Sequence, residues 1–122
     1  MNYLKDYILE KLHINKDSKA SAKKVIIIPY GKTFSYIDDH YKEYDTYTDK
    51  YSQTCWMVDI DDIEDIENDL KKNVEKVDWQ LYIVPNELLG NKVFSHPGRN
   101  GHAGWIIDDN IFDQMIEYET NK

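Results

Sequence analysis

The sequence predicts an α+β domain of two layers, in which three or four strands are covered by helices largely on one face. Short β-branched and aromatic runs alternate with stretches of helical period, which is the pattern of such a domain. A chain of 122 residues is the size of one domain with a single core. We therefore expect a single α+β domain over residues 24–122. A parallel α/β arrangement is the alternative, because residues 54–84 are long enough for a crossover.

The first predicted element is a separate N-terminal amphipathic helix. Leu4, Ile8 and Leu12 recur at intervals of four residues, which places them on one helical face. Residues 13–24 are polar, rich in lysine and serine, and without periodicity, as in a linker. We treat residues 1–23 as this helix and linker, distinct from the domain that follows.

Three strands are predicted in the body of the chain. Residues 25–28 are a β-branched run closed by Pro29. Residues 54–60 and 79–84 are short, apolar and aromatic, and Pro85 ends the second of them.

Two helices are predicted between these strands. Apolar side chains at intervals of three and four residues indicate one over residues 34–45, although residues 44–53 alternate Tyr with Thr and could equally be a strand. A longer apolar stripe indicates the second, with Asp61 and Asp62 where an N-cap is expected. The stripe consists of Ile63, Ile66, Leu70, Val74 and Val77.

The C-terminal part of the chain is predicted to be mostly loop. Residues 86–104 contain four of the five glycines and no clear period. Residues 105–107 are a candidate edge strand. Asn110 is expected to cap a final helix over residues 111–119.

Composition limits the classes of function. The formal net charge is -8, so we expect no nucleic acid and no membrane among the partners, since both bind clustered Lys and Arg. The single cysteine, Cys55, excludes an internal disulfide and is expected to be a buried, inert thiol. No stretch is apolar enough to span a bilayer, so we expect a soluble, cytoplasmic protein without a cofactor.

An acidic surface is predicted on the helix that follows residue 60. The acidic residues do not match a calcium-binding loop, because the glycine and the final glutamate of such a loop are missing at the required positions. A solvated helix face is therefore the simplest interpretation. The alternative is a face that binds a basic partner or mimics nucleic acid. Its charges would be Asp61, Asp62, Glu64, Asp65 and Asp69.

A second candidate site lies in the glycine-rich segment. Arg99 is the only arginine among 15 basic residues, and it lies between His96 and His102 with Lys92 nearby. A guanidinium and converging backbone N–H groups suit a phosphate or carboxylate. His96 or His102 could then act as general acid or base, with Arg99 as anchor. A metal site would need a further ligand such as His40 or Asp108. The simplest interpretation is a soluble turn, in which Arg99 contacts a local acidic group, such as those of the helix at 61–76, or a partner.

The N-terminal segment YLKDYILEKLHINKDSK resembles a short leader found ahead of small proteins in tailed bacteriophages of gut bacteria. The resemblance covers about 17 residues and implies a phage-encoded protein, located in the cytoplasm of the infected host or incorporated into the virion. The body of the chain resembles no family.

The sequence favours an acidic protein that binds a phage or host protein without catalysis. The N-terminal helix and the acidic, tyrosine-rich surface would make the contact. The alternative is a small enzyme or ligand-binding domain that uses His96, Arg99 and His102 on a phosphate- or carboxylate-bearing substrate.

Overall fold

A computed structural model describes residues 24–99 and 104–118, and it shows a sheet of seven strands that is mostly antiparallel. The prediction of a two-layer domain with three or four strands is therefore wrong. Its elements, in chain order, are β1 (Lys24–Pro29), α1 (Gly31–His40), β2 (Asp45–Asp49), β3 (Thr54–Asp59), a 3-10 turn (Ile60–Asp62), α2 (Ile63–Asn73), β4 (Trp79–Val84), α3 (Asn86–Leu89), a 3-10 turn (Lys92–Ser95), β5 (Gly98–Arg99), β6 (Ile106–Ile107), α4 (Asp109–Phe112) and β7 (Ile116–Glu117).

The four longest strands form the centre of the sheet. The strand order is β5-β2-β3-β1-β4-β7, and β6 also pairs with β2. From β1 to β4 the chain follows the β-α-β-β-α-β order of the ferredoxin-like, or split β-α-β, motif. Because β1 is antiparallel to both β3 and β4, the parallel α/β alternative is also wrong. The pair of β2 and β6 is parallel.

The central strands are apolar on both faces, which explains why their sequences are nearly continuous hydrophobic runs. In β1, Val25 and Ile27 enter the core on one face, whereas Ile26 and Ile28 enter the core on the other. Helices α1 and α2 cover the first face, with Ile37, Ile66 and Leu70 among their buried side chains. A single helical layer would leave the second face uncovered.

The C-terminal part of the chain covers this second face. Leu88, Val93, Phe94, Ile107 and Ile111 are buried there. The prediction that residues 86–104 are mostly loop is therefore wrong where the structure describes them: α3, the 3-10 turn at Lys92–Ser95 and β5 lie within this range. These elements are too short, at two to four residues, to produce a detectable period.

The prediction of a final helix over residues 111–119 is also wrong. Helix α4 is capped by Asp108, whose Oδ1 accepts from the Ile111 N–H at 3.1 Å, and not by Asn110. The helix ends at Phe112, and Ile116–Glu117 form β7 beside β4. Ile111, Met115 and Tyr118 are buried as the helical pattern required, but they reach the core from a helix, a turn and a strand end.

The other predicted elements are found with shifted bounds. The helix expected over residues 34–45 ends at His40, and the Tyr and Thr alternation after it belongs to β2. Asp62 occupies the N-cap position of α2, but its side chain makes no capping hydrogen bond. In the β2–β3 turn, Asp49 Oδ1 accepts from the N–H groups of Tyr51 and Gln53, both at 2.9 Å.

The predicted N-terminal helix and linker lie outside the described residues. Within the described part of the chain, no helix is both long enough and apolar enough to cross a membrane.

Candidate contact site at the edge of the sheet

The outer edge of β2 is covered by two short strands from the glycine-rich segment. Asp45 and Thr46 pair with β5, and Thr48 and Asp49 pair with β6. Gly104 lies between these pairs, so close to the sheet that a Cβ atom there would be 2.6 Å from the Thr46 carbonyl oxygen. Only glycine fits at this position without a backbone shift.

Trp105 is fixed at this edge by backbone hydrogen bonds and by two neighbouring side chains. Its N–H donates to the His96 carbonyl and its carbonyl accepts from the Thr48 N–H, each at 3.4 Å. The His96 ring lies with its centroid 4.5 Å from that of Trp105. Lys92 Nζ lies 5.3 Å from the indole centroid, within the range of a cation–π contact.

Three large hydrophobic residues are exposed in the described part of the chain, and all three border β2. Tyr51 is 76% exposed in the turn after the strand, whereas Trp105 and Ile106 are 41% and 60% exposed along its outer edge. Ile107, the next residue, is buried, as the alternation of a strand requires. We call Tyr51, Trp105 and Ile106, with the adjacent Lys92 and His96, the edge patch.

A depression open to solvent lies beside Trp105. Its volume is about 630 Å³, and the described residues that line it are Ser95, His96, Pro97, Gly104 and Trp105. Its walls combine an indole face, a proline ring and an imidazole. Such a surface can hold an apolar side chain and donate a hydrogen bond beside it.

Arg99 does not enter this depression as a free anchor. Its Nη2 pairs with Asp45 Oδ1 at 3.0 Å, and its Nη1 donates to the Glu43 carbonyl at 3.2 Å. The predicted local acidic partner therefore exists, but it belongs to β2 and not to the helix at 61–76. Because the guanidinium already holds a carboxylate, it is poorly placed to bind that of a substrate.

The predicted catalytic and metal-binding groups are only partly described. His102 lies outside the described residues, and His96 packs on Trp105. Among the residues that the structure describes, no group of three or more His, Cys, Asp or Glu side chains could hold a metal ion. The Nδ1 atom of His40 lies 2.9 Å from the Tyr36 carbonyl oxygen, and its ring stacks on that of Tyr36. Asp108 caps α4.

Asp69, predicted to belong to an acidic binding face, instead binds tyrosines within the chain. Its carboxylate accepts hydrogen bonds from Tyr41, from Tyr36 at 3.0 Å and from the Asn73 amide at 3.1 Å. The pKa of Asp69 is lowered, chiefly by the bond from Tyr41. Burial, followed by the bond to Asp69, raises the pKa of Tyr41 above its ordinary value. This network joins α1 to α2.

The other predicted acidic residues lie on α2 and the turn before it, apart from the edge patch. Asp61, Glu64 and Asp65 are exposed. Asp62 is half-buried beside Tyr44, whose pKa is raised mainly by burial and in part by the Asp62 charge. Helix α2 covers the first face of the sheet, whereas the edge patch borders β2.

Cys55 is fully buried in the core on the second face. Burial raises the pKa of its thiol to about 12, so little thiolate forms near neutral pH. The sulfur is therefore unsuited to nucleophilic chemistry, as the sequence indicated.

The sequence interpretation missed Tyr51, Trp105 and Ile106 as site residues. The sequence carried a signal for two of them. Trp105 and Ile106 directly follow a glycine-rich segment. A short strand that begins there and buries one side chain leaves the neighbouring side chains exposed. Tyr51 carried no such signal, because nine other tyrosines share its composition and most of those described are partly or fully buried.

Comparison with known proteins gives no match: no family model, no curated protein and no solved structure is similar to this chain.

Proposed function

We propose that this chain is a contact protein, which binds a phage or host protein through the edge patch and catalyses no reaction. The observation that carries the proposal is that the three large hydrophobic residues exposed in the described part of the chain, Tyr51, Trp105 and Ile106, all border β2. Large exposed side chains gathered in one region are typical of interaction surfaces. Tryptophan and tyrosine are also the side chains that contribute most to binding energy at interfaces.

The anchoring of the patch supports the same function. Trp105 is held by two backbone hydrogen bonds and by contacts with His96 and Lys92. A side chain held in place before binding loses less conformational entropy when a partner covers it. The engagement of Arg99 by Asp45 favours contact over catalysis at this site.

The N-terminal segment is proposed as a second contact element. Its apolar positions Leu4, Ile8 and Leu12 suit a helix that binds in the groove of a partner. Its resemblance to a bacteriophage leader supports a partner in the infected cell or the virion.

The proposal is tested by capture from infected cells with four forms of the full chain. These are the wild type, the triple variant Tyr51→Ser, Trp105→Ala and Ile106→Ser, a form lacking residues 1–20, and the control variant Lys72→Gln on α2. We expect a protein that is retained by the wild type and the control and lost by the triple variant. Circular dichroism confirms that each form is folded. Equal capture by the triple variant would remove the edge patch from the function, and equal capture by the shortened form would remove the N-terminal segment.

A further inference from the structure

We infer that the edge patch binds an acidic protein segment, in which carboxylates flank one apolar side chain. The inference rests on the proposed contact function and specifies the chemistry of the partner. The charges at the patch differ from those of the rest of the chain.

The described stretches that contribute Lys92, His96, Trp105 and Ile106 carry no negative charge. Residues 88–107 contain no Asp or Glu, although the chain has 23 such residues. Lys92 and His96 are exposed within this segment. In the described part of the chain, no ion pair joins Lys92 to a carboxylate, and its ammonium group lies over the Trp105 ring. The patch therefore presents a cation beside Trp105.

Four carboxylates, two in β2 and two directly after β6, have partners within the chain. Asp45 pairs with Arg99 at 3.0 Å, and Asp109 pairs with Lys50 at 2.8 Å. Asp49 accepts from two N–H groups of the β2–β3 turn, and Asp108 caps α4. None of these carboxylates pairs with Lys92, so an incoming carboxylate meets the Lys92 ammonium and the His96 imidazole beside Trp105.

The net charge of -8 does not prevent such binding. At physiological ionic strength the Debye length is about 8 Å, so distant surface charges are largely screened and the local groups decide which partner binds. The apolar side chain of the partner would occupy the depression between Pro97 and Trp105.

The test uses three labelled synthetic peptides with the full chain. One consists of four Glu-Glu-Leu repeats, the second has glutamine at each glutamate position, and the third has lysine there. Fluorescence anisotropy in physiological salt gives each dissociation constant. We expect the acidic peptide to bind at least tenfold more tightly than the glutamine peptide, and the lysine peptide to bind more weakly still. Equal binding of the acidic and glutamine peptides, tighter binding of the lysine peptide, or no binding of the acidic peptide would overturn the inference.

Two variants test the residues. Lys92→Gln and His96→Gln together remove the cation and the imidazole donor, and we expect the acidic peptide to bind at least fivefold more weakly. The control Lys72→Gln removes one positive charge at an exposed position of α2. It should leave the affinity for the acidic peptide unchanged. Equal affinity of all three proteins would place the peptide elsewhere. If Trp105→Ala abolishes capture of a cellular partner while the peptides do not discriminate, the contact function stands and the acidic partner is wrong.

Discussion

Asp69 shows how one side chain can serve the fold where its charge predicted an outward role. Its carboxylate receives hydrogen bonds from Tyr36 and Tyr41 and so connects the two helices on the first face. The five acidic candidates on and near α2 have the same sequence signature, namely a carboxylate beside a buried helical stripe. Which of them meet a tyrosine depends on the packing of α1 against α2, which a single sequence does not encode locally.

Replacement of Asp69 by asparagine tests this role. The variant loses charge-assisted hydrogen bonds, and we expect the free energy of unfolding to fall by about 1.5 to 3 kcal/mol at neutral pH. The control is Asp65→Asn on the same helix, an exposed residue at which the change should stay within about 0.5 kcal/mol. Urea denaturation measures both.

The pH dependence of this difference follows from the lowered pKa of Asp69. A folded-state pKa below the unfolded value gives stability that is present above the unfolded value and is lost as pH falls through the folded value. The difference between wild type and Asp69→Asn should therefore be constant near neutral pH and shrink below the ordinary Asp value of 3.8. A difference in stability of the same size at neutral pH and below 3.8 would contradict the assignment of the lowered pKa to Asp69.

Arg99 was expected to contact a local acidic group, such as those of the helix at 61–76, or a partner, and the structure pairs it with Asp45 of β2. Its partner Asp45 pairs with it directly across β2 and β5. That pairing requires β5, a strand of two residues that composition alone classifies as loop. Arg99 could therefore be identified from the sequence as the only arginine, whereas its partner Asp45 could not.

At the scale of elements, hydrophobic runs located β1, β3 and β4 because these strands are buried on both faces. Strand β2 was ambiguous, since Thr46 and Thr48 are buried without being apolar. Strands β5, β6 and β7 have two residues each, too few for any periodicity to be read. The seven-stranded sheet was for this reason predicted as three or four strands.

The glycine-rich segment makes a testable prediction at this scale. In Gly104→Ala, the new Cβ would lie 2.6 Å from the Thr46 oxygen and 2.7 Å from the Gly98 nitrogen, both backbone atoms. Either β5 or the segment leading into β6 must move, and we expect a loss of about 1 to 3 kcal/mol in stability. The matched control is Gly90→Ala, where the nearest atom would be 3.9 Å away.

Chemical denaturation of both glycine variants gives the comparison. Because Gly104 directly precedes Trp105, the Gly104→Ala variant should also show altered tryptophan fluorescence, whereas Gly90→Ala should not. Equal stability and equal fluorescence of the two variants would mean that the close approach of Gly104 to β2 does not position the edge patch.

At the scale of the whole molecule, the sheet is covered on both faces and the exposed large hydrophobic side chains of the described residues are confined to one edge. Helices α1 and α2 protect the first face, and the part of the chain after β4 protects the second. Because both faces are covered, the large hydrophobic side chains that are exposed in the described residues lie at the edge of β2. The account of function depends on this arrangement, since the fold itself specifies no activity.

The most direct measurement is the dissociation constant of the protein captured by the edge patch, compared between wild type and Trp105→Ala. A residue at the centre of a contact surface contributes about 2 kcal/mol or more, so the affinity should fall roughly 30-fold. The variant should remain folded, since Trp105 is partly exposed. An unchanged dissociation constant would contradict the assignment of the edge patch as the contact surface.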